Sequence, residues 1–129
     1  MTHADVALTR TIRARVPSVP YERIARSVLG ARYELSLVLC GDSLARRMNR
    51  EYRKKVYSPN VLSFPLSQHE GEIFLNVRKA EREAKQFGTS VRVRLALLFI
   101  HGCLHLKGYA HGSKMEKAEE KILRKFNIK

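Results

Sequence analysis

Residues 90–108, Ser-Val-Arg-Val-Arg-Leu-Ala-Leu-Leu-Phe-Ile-His-Gly-Cys-Leu-His-Leu-Lys-Gly, decide how this chain folds. The opening Val91-Arg92-Val93-Arg94 alternates as a strand would, but the stretch to Lys107 is too long for an ordinary strand and has neither glycine nor proline ahead of Gly102. It therefore reads as a helix, and the unbroken apolar run from Leu95 to Ile100 makes it the buried central one. Towards the C-terminus, Ser113 and Glu116 have capping-box spacing for a last helix with Met115, Ala118, Ile122 and Phe126 facing inward. Towards the N-terminus, Asn76 is placed to cap a helix whose Val77, Ala80, Ala84 and Phe87 share a face and which Gly88 ends. Asn60–Leu66 and Glu72–Asn76 read as strands joined by a polar loop, Ser67–Gly71. Before them, Asp42 or Ser43 caps a helix with Leu44, Met48 and Tyr52 on one face, and Tyr33–Cys40 is a buried strand between Gly30 and Gly41. Pro20 precedes a helix over Tyr21–Leu29, and Asp5–Leu8 is a short opening strand. Five helices and about four strands without βαβ repetition give an α+β or α/β layer.

A chain of 129 residues, 44% of them hydrophobic, suits one domain with a real core. Its 25 Lys and Arg against 12 Asp and Glu leave a net charge of +13, which favours a polyanionic partner. That charge is spread along the chain, with 12 basic and 5 acidic residues up to Phe64 and 13 and 7 after it, so it belongs to the folded body. No run approaches the ~20 apolar residues of a membrane-spanning helix, and the N-terminus does not resemble a secretory signal. The expected compartment is the cytoplasm. Cys40 and Cys103 are too few for a disulfide framework and read as reduced thiols.

Three of the five histidines fall in eleven residues, His101, His105 and His111. Residues four apart on a helix are stacked neighbours, so His101 and His105 can aim two imidazoles at one point roughly 2 Å from each ring nitrogen. Gly108 lets the chain leave the helix through a left-handed conformation, and His111 can swing back as a third ligand. Three neutral imidazoles with one open position are a catalytic zinc arrangement, in which bound water is acidified to a pKa of about 7. An i, i+4 histidine pair alone also arises in ordinary cores; three in this window with a glycine at the turn point to a metal. His3 and His69 have no partner at ligand spacing and read as surface residues, and Cys103 points away from the metal into packing. The same spacing occurs in zinc peptidases, but those place a glutamate directly after the first histidine as general base, and here that position is Gly102.

The string His-x-x-x-His-x-x-x-x-x-His with Gly108-Tyr109 inside it resembles the signature of the YbeY family of bacterial endoribonucleases, which act in ribosomal RNA maturation. Asn49-Arg50-Glu51-Tyr52-Arg53, Asn60-Val61-Leu62-Ser63-Phe64-Pro65 and Gly71-Glu72-Ile73 resemble its other hallmark segments in the same order, so the likeness extends over about Ser36 to Leu123. It implies a single α+β domain with a mixed sheet of about four strands, and a metal site of His101, His105 and His111 holding one zinc, with nickel or iron as alternatives. It further implies cleavage of single-stranded RNA, with Arg53 in phosphate handling or catalysis. Ribosomal RNA is the implied substrate, ribosomal proteins or an assembly GTPase are the candidate targeting partners, and no membrane is involved. Two positions depart from the pattern. Ser58-Pro59 stands where the family usually has Pro-Thr, and Ala110 where an aspartate commonly precedes the third histidine, which removes a carboxylate near the site.

Arg46, Arg47, Arg50, Arg53, Lys54 and Lys55 face the single Glu51 in one short segment. On a helix, Arg46, Arg50 and Arg53 form a stripe that can follow a phosphate backbone, with Lys54 and Lys55 extending it. Arg53 is the candidate catalytic residue, because a guanidinium can brace two phosphate oxygens as charge grows on them. Tyr52, Tyr57 and Tyr109 are conceivable base-stacking platforms, though half-buried packing is the expected role of each. The sequence thus points to a metal-dependent endoribonuclease. A zinc-containing, catalytically weak RNA-binding assembly factor is the rival class, and a metallopeptidase stands third because of Gly102.

Overall fold

The Ser90 hydroxyl accepts from the Val93 amide, and from there Val91–Lys107 is one unbroken helix, with Leu95, Ala96, Leu98, Phe99 and Ile100 all buried. In this computed structural model, which describes residues 5–13 and 15–129, that helix is α4. The order of elements is β1 (Asp5–Arg10), α1 (Tyr21–Leu29), β2 (Glu34–Cys40), α2 (Asp42–Arg53), β3 (Val61–Ser67), β4 (Glu70–Asn76), α3 (Val77–Phe87), α4 and α5 (Ser113–Lys125).

The strands form one mixed sheet in the order β1-β2-β4-β3, with β1, β2 and β4 parallel and β3 antiparallel to β4. The sequence of β2 is apolar almost throughout because both faces of its C-terminal half are covered. Leu35, Leu37 and Leu39 enter the main core with Ile73 and Leu75 of β4, beneath α1 and α4. Val38, Cys40, Phe74 and Leu62 meet Ala45 of α2 on the opposite face. Pro65 is tolerated in β3 because that strand lies at the sheet edge. Helix α4 packs against α1, α3, α5, β3 and β4, so the single α+β domain is assembled around it.

Several local expectations are corrected. The polar stretch Ser67–Gly71 is not a loop: Ser67, Glu70 and Gly71 belong to the strands and only Gln68-His69 turn, leaving His69 exposed. Phe87 does not face inward; it is 58% exposed at the end of α3, beneath the Arg94 guanidinium. In α2 the fully buried positions are Ala45 and Asn49, with Leu44 and Met48 packed beside them, while Tyr52 is exposed with its ring edge-on to Phe64. The Ser113–Glu116 capping box does not form, because the cap falls at Gly112 and Ser113 is already the first helical residue of α5. β1 continues past Leu8 to Arg10, and His3 lies outside the described residues. Among the described residues no single helix is long and apolar enough to cross a membrane.

Candidate metal centre

His101 and His105 lie one turn apart near the C-terminal end of α4, both half-buried. Gly108, at φ 111°, ends the helix in the left-handed region, and its amide is shared by the Leu104 and His105 carbonyls. Gly112, at φ 147°, turns the chain into α5, a conformation that an L side chain rarely adopts. Between these two glycines His111 is carried back over the helix end. Ligand atoms of the three imidazoles all lie within 4.8 Å of one another.

The second nitrogen of two of the rings is engaged. His105 Nδ1 lies 3.0 Å from the Tyr109 carbonyl, which can only accept, so Nδ1 carries the proton. His101 Nδ1 lies 2.5 Å from Glu119 Oε2, and a carboxylate imposes the same tautomer. The two Nε2 atoms are 3.1 Å apart and then present lone pairs to the same point. Lone pairs so arranged repel one another unless a cation sits between them, and this donor set therefore fits a metal ion. Burial, then the neighbouring His101, pushes the pKa of His105 down, which favours the neutral ring that a metal needs.

The histidines form one wall of a cleft of about 480 Å³. Arg53, in the last turn of α2, lines the same cleft and has no hydrogen-bond or ion-pair partner among the described residues. Tyr57, Asn60, Ser63 and Lys79 complete the polar lining. Arg46, Arg50, Lys54 and Lys55 are exposed but do not line this cleft, Arg46 and Arg50 continuing from Arg53 along α2. Tyr109 packs half-buried as expected, whereas Tyr52 and Tyr57 are 64% and 51% exposed.

Glu119 escapes the sequence reading. Its signal is a carboxylate four residues beyond Met115, on the face of α5 that turns inward, where an apolar residue is the ordinary choice. It also answers the loss of aspartate at Ala110: that position is exposed, and the carboxylate on a histidine comes from α5. Lys79 stands out in the sequence only as one of several basic residues, with Arg78 and Arg82, that could widen the charged surface; that it alone of these enters the cleft depends on how α3 packs.

Gly102 has a packing reason. A Cβ there would lie 3.0 Å from Ser63 Oγ and 3.1 Å from Ile73 Cδ1, where α4 crosses β3 and β4, so any larger side chain would push these neighbours aside by a few tenths of an ångström. The Gly102 carbonyl accepts the Ser63 hydroxyl instead. Cys103 is fully buried in the core and Cys40 beneath α2; burial raises both thiol pKa values, that of Cys40 to about 12.

A model of the family described as Endoribonuclease YbeY matches residues 5–127. Proteins of that name are similar over most of their length. The relative from Aromatoleum aromaticum is 37% identical over 120 residues, covering 86% of this chain and 78% of its own. That from Helicobacter pylori is 38% identical over 115 residues, 83% of this chain and 81% of its own. That from Heliobacterium modesticaldum is 38% identical over 113 residues, 70% of this chain and 68% of its own. The solution structure of TM1509 from Thermotoga maritima shares the fold, with a TM-score of 0.64 at 18% identity over 95% of this chain and 91% of that one.

Proposed function

Because the chain belongs to the YbeY family of endoribonucleases, nucleases that act on RNA, we propose that it is a zinc-dependent enzyme cutting single-stranded RNA in ribosomal RNA maturation in the cytoplasm. The observation that carries this reading is the convergence of three imidazoles in a cleft that Arg53, without a hydrogen-bond or ion-pair partner among the described residues, also lines. His101, His105 and His111 would hold the zinc. When bound, such an ion supplies Lewis acidity that polarises a phosphoryl oxygen or acidifies a water.

The protein's own groups supply the rest. Glu119 and the Tyr109 carbonyl hold two imidazoles in the ligating tautomer. Arg53 offers a fork of donors to the non-bridging phosphate oxygens, where charge accumulates as phosphorus is attacked. The stripe of Arg46 and Arg50, with Lys54 and Lys55 beyond it, offers the strand flanking the scissile bond a path of positive charge. The overall charge of +13 draws RNA to the surface without choosing where it binds.

Single-turnover cleavage of a single-stranded RNA at saturating protein tests the roles. Arg53→Ala should keep its zinc and bind RNA nearly as well, yet cut roughly 10²-fold more slowly, the scale for one lost transition-state donor. Cleavage at the wild-type rate would reduce Arg53 to a docking contact. Wild type that binds zinc and RNA but cuts nothing would give the site to an assembly factor. The ends of the fragments report whether water or the neighbouring ribose hydroxyl attacks, since only the second leaves a cyclic phosphate.

A further inference from the structure

Between α2 and β3 the chain runs from Lys54 to Asn60 without regular structure, yet it is pinned at nearly every step. Lys54 adopts a left-handed conformation, φ 58°, that few non-glycine residues take. Asn49, fully buried, donates its side-chain amide to the Tyr57 carbonyl at 3.0 Å. The Ser58 hydroxyl donates to the Asp42 carbonyl at 2.8 Å, and Lys79 Nζ donates to the Ser58 carbonyl at 2.6 Å. Asn76, also fully buried, donates to the Pro59 carbonyl at 3.1 Å. Two fully buried amides therefore help to hold the strap, exposed from Lys54 to Tyr57, in one shape.

What the strap presents is the ring of Tyr57. It is 51% exposed and lines the cleft that contains the histidines. Lys79 Nζ lies 5.8 Å from the ring centroid and lines the same cleft, with two N–H groups left after the Ser58 bond. Of the other two candidate tyrosines, Tyr52 packs edge-on to Phe64 and Tyr109 packs against the core, and neither lines this cleft. An aromatic ring on a pinned strap beside a cleft lined by Arg53 and Lys79, with the Lys79 ammonium next to it, matches one nucleotide: the base stacks on the ring and its phosphate meets the ammonium.

We propose that Tyr57 is the base-stacking platform of the cleft, with Lys79 holding the phosphate of the stacked nucleotide, so that a base must be unpaired to enter. The proposal rests on the RNA reading above and deepens it, because a base confined in a duplex cannot reach the ring and single strands are selected by stacking.

The chain contains no tryptophan, so Tyr57→Trp gives it a single one, excited selectively at the red edge where the remaining tyrosines do not absorb. Its emission is titrated with a short single-stranded oligoribonucleotide, the matching duplex, and inorganic polyphosphate as a polyanion without bases. Anisotropy of an end-labelled oligoribonucleotide reports binding in parallel. Saturable quenching by the single strand, and none by polyphosphate, is expected. Tyr57→Ala should weaken single-strand binding by about tenfold and leave polyphosphate binding unchanged, while Tyr57→Phe keeps wild-type affinity. A single strand that binds by anisotropy without changing the emission, or an equal loss for both polyanions in Tyr57→Ala, would overturn the platform and leave the RNA reading standing. Wild-type protein that binds no RNA by anisotropy would overturn both.

Discussion

The imidazole of a metal ligand is useful only in one tautomer and one orientation, and Glu119 sets both for His101. Glu119→Gln keeps the size and a hydrogen bond but loses the charge that makes Nδ1 the obligatory donor. Zinc affinity should fall by about 10- to 100-fold with the fold intact, as read by competition with a chromophoric chelator. Unchanged affinity would make Glu119 a packing residue of α5. The three histidines are legible in the sequence because all lie within eleven residues, where helix spacing and one glycine turn fix their placement. Glu119 and the cleft position of Lys79 are not, because Glu119 meets His101, and Lys79 enters the cleft, only through the packing of separate helices. Periodicity also misleads at stripe ends: Tyr52 and Phe87 keep the apolar rhythm of their helices but extend past the edge of the core.

At the scale of elements, α2 carries both the cleft strap and the basic stripe, and Asp42 in its first turn ties it to α3. The Arg82 guanidinium donates to both Asp42 oxygens and, with Asn76 and Ser58, holds that carboxyl well below the ordinary range against the opposing effect of burial. A pKa depressed on folding contributes stability above the unfolded value of about 4 and loses it as pH falls towards the folded value. The difference in urea midpoint between wild type and Asp42→Asn should therefore be full at neutral pH and close progressively below about pH 4. A gap independent of pH would mean that Asp42 acts through shape alone. The exposed stripe makes a separate expectation: Arg46→Ala or Arg50→Ala should flatten the log-log dependence of RNA affinity on salt by roughly one unit each. Identical slopes would assign that face to solvent.

Element boundaries follow local chemistry where a cap is strong, as at Ser90 and Asn76. They shift where tertiary geometry overrides it. At α5 the return of His111 requires a positive φ at Gly112, and the cap moves there from Ser113. At the β3–β4 turn, pairing with β2 draws Glu70 and Gly71 into the strand despite their polar, turn-like sequence.

On the scale of the whole molecule, the strand order β1-β2-β4-β3 is the feature least legible in the chain, because nothing local tells β4 to insert between β2 and β3. That insertion lets α4 cross β3 and β4 at Gly102 and places the histidines in one cleft with Ser63 and Arg53. The fold thus places the three candidate ligand histidines, the Arg53 side chain and the Tyr57 strap around one opening of a body charged +13. The most direct measurement is cleavage of a single-stranded RNA by the same preparation before chelation, after removal of its metal, and after return of one equivalent of zinc per chain. The account expects cleavage in the first sample, none in the second and recovery in the third, with His101→Ala inactive throughout. Equal cleavage with and without the metal, or in His101→Ala, would contradict it.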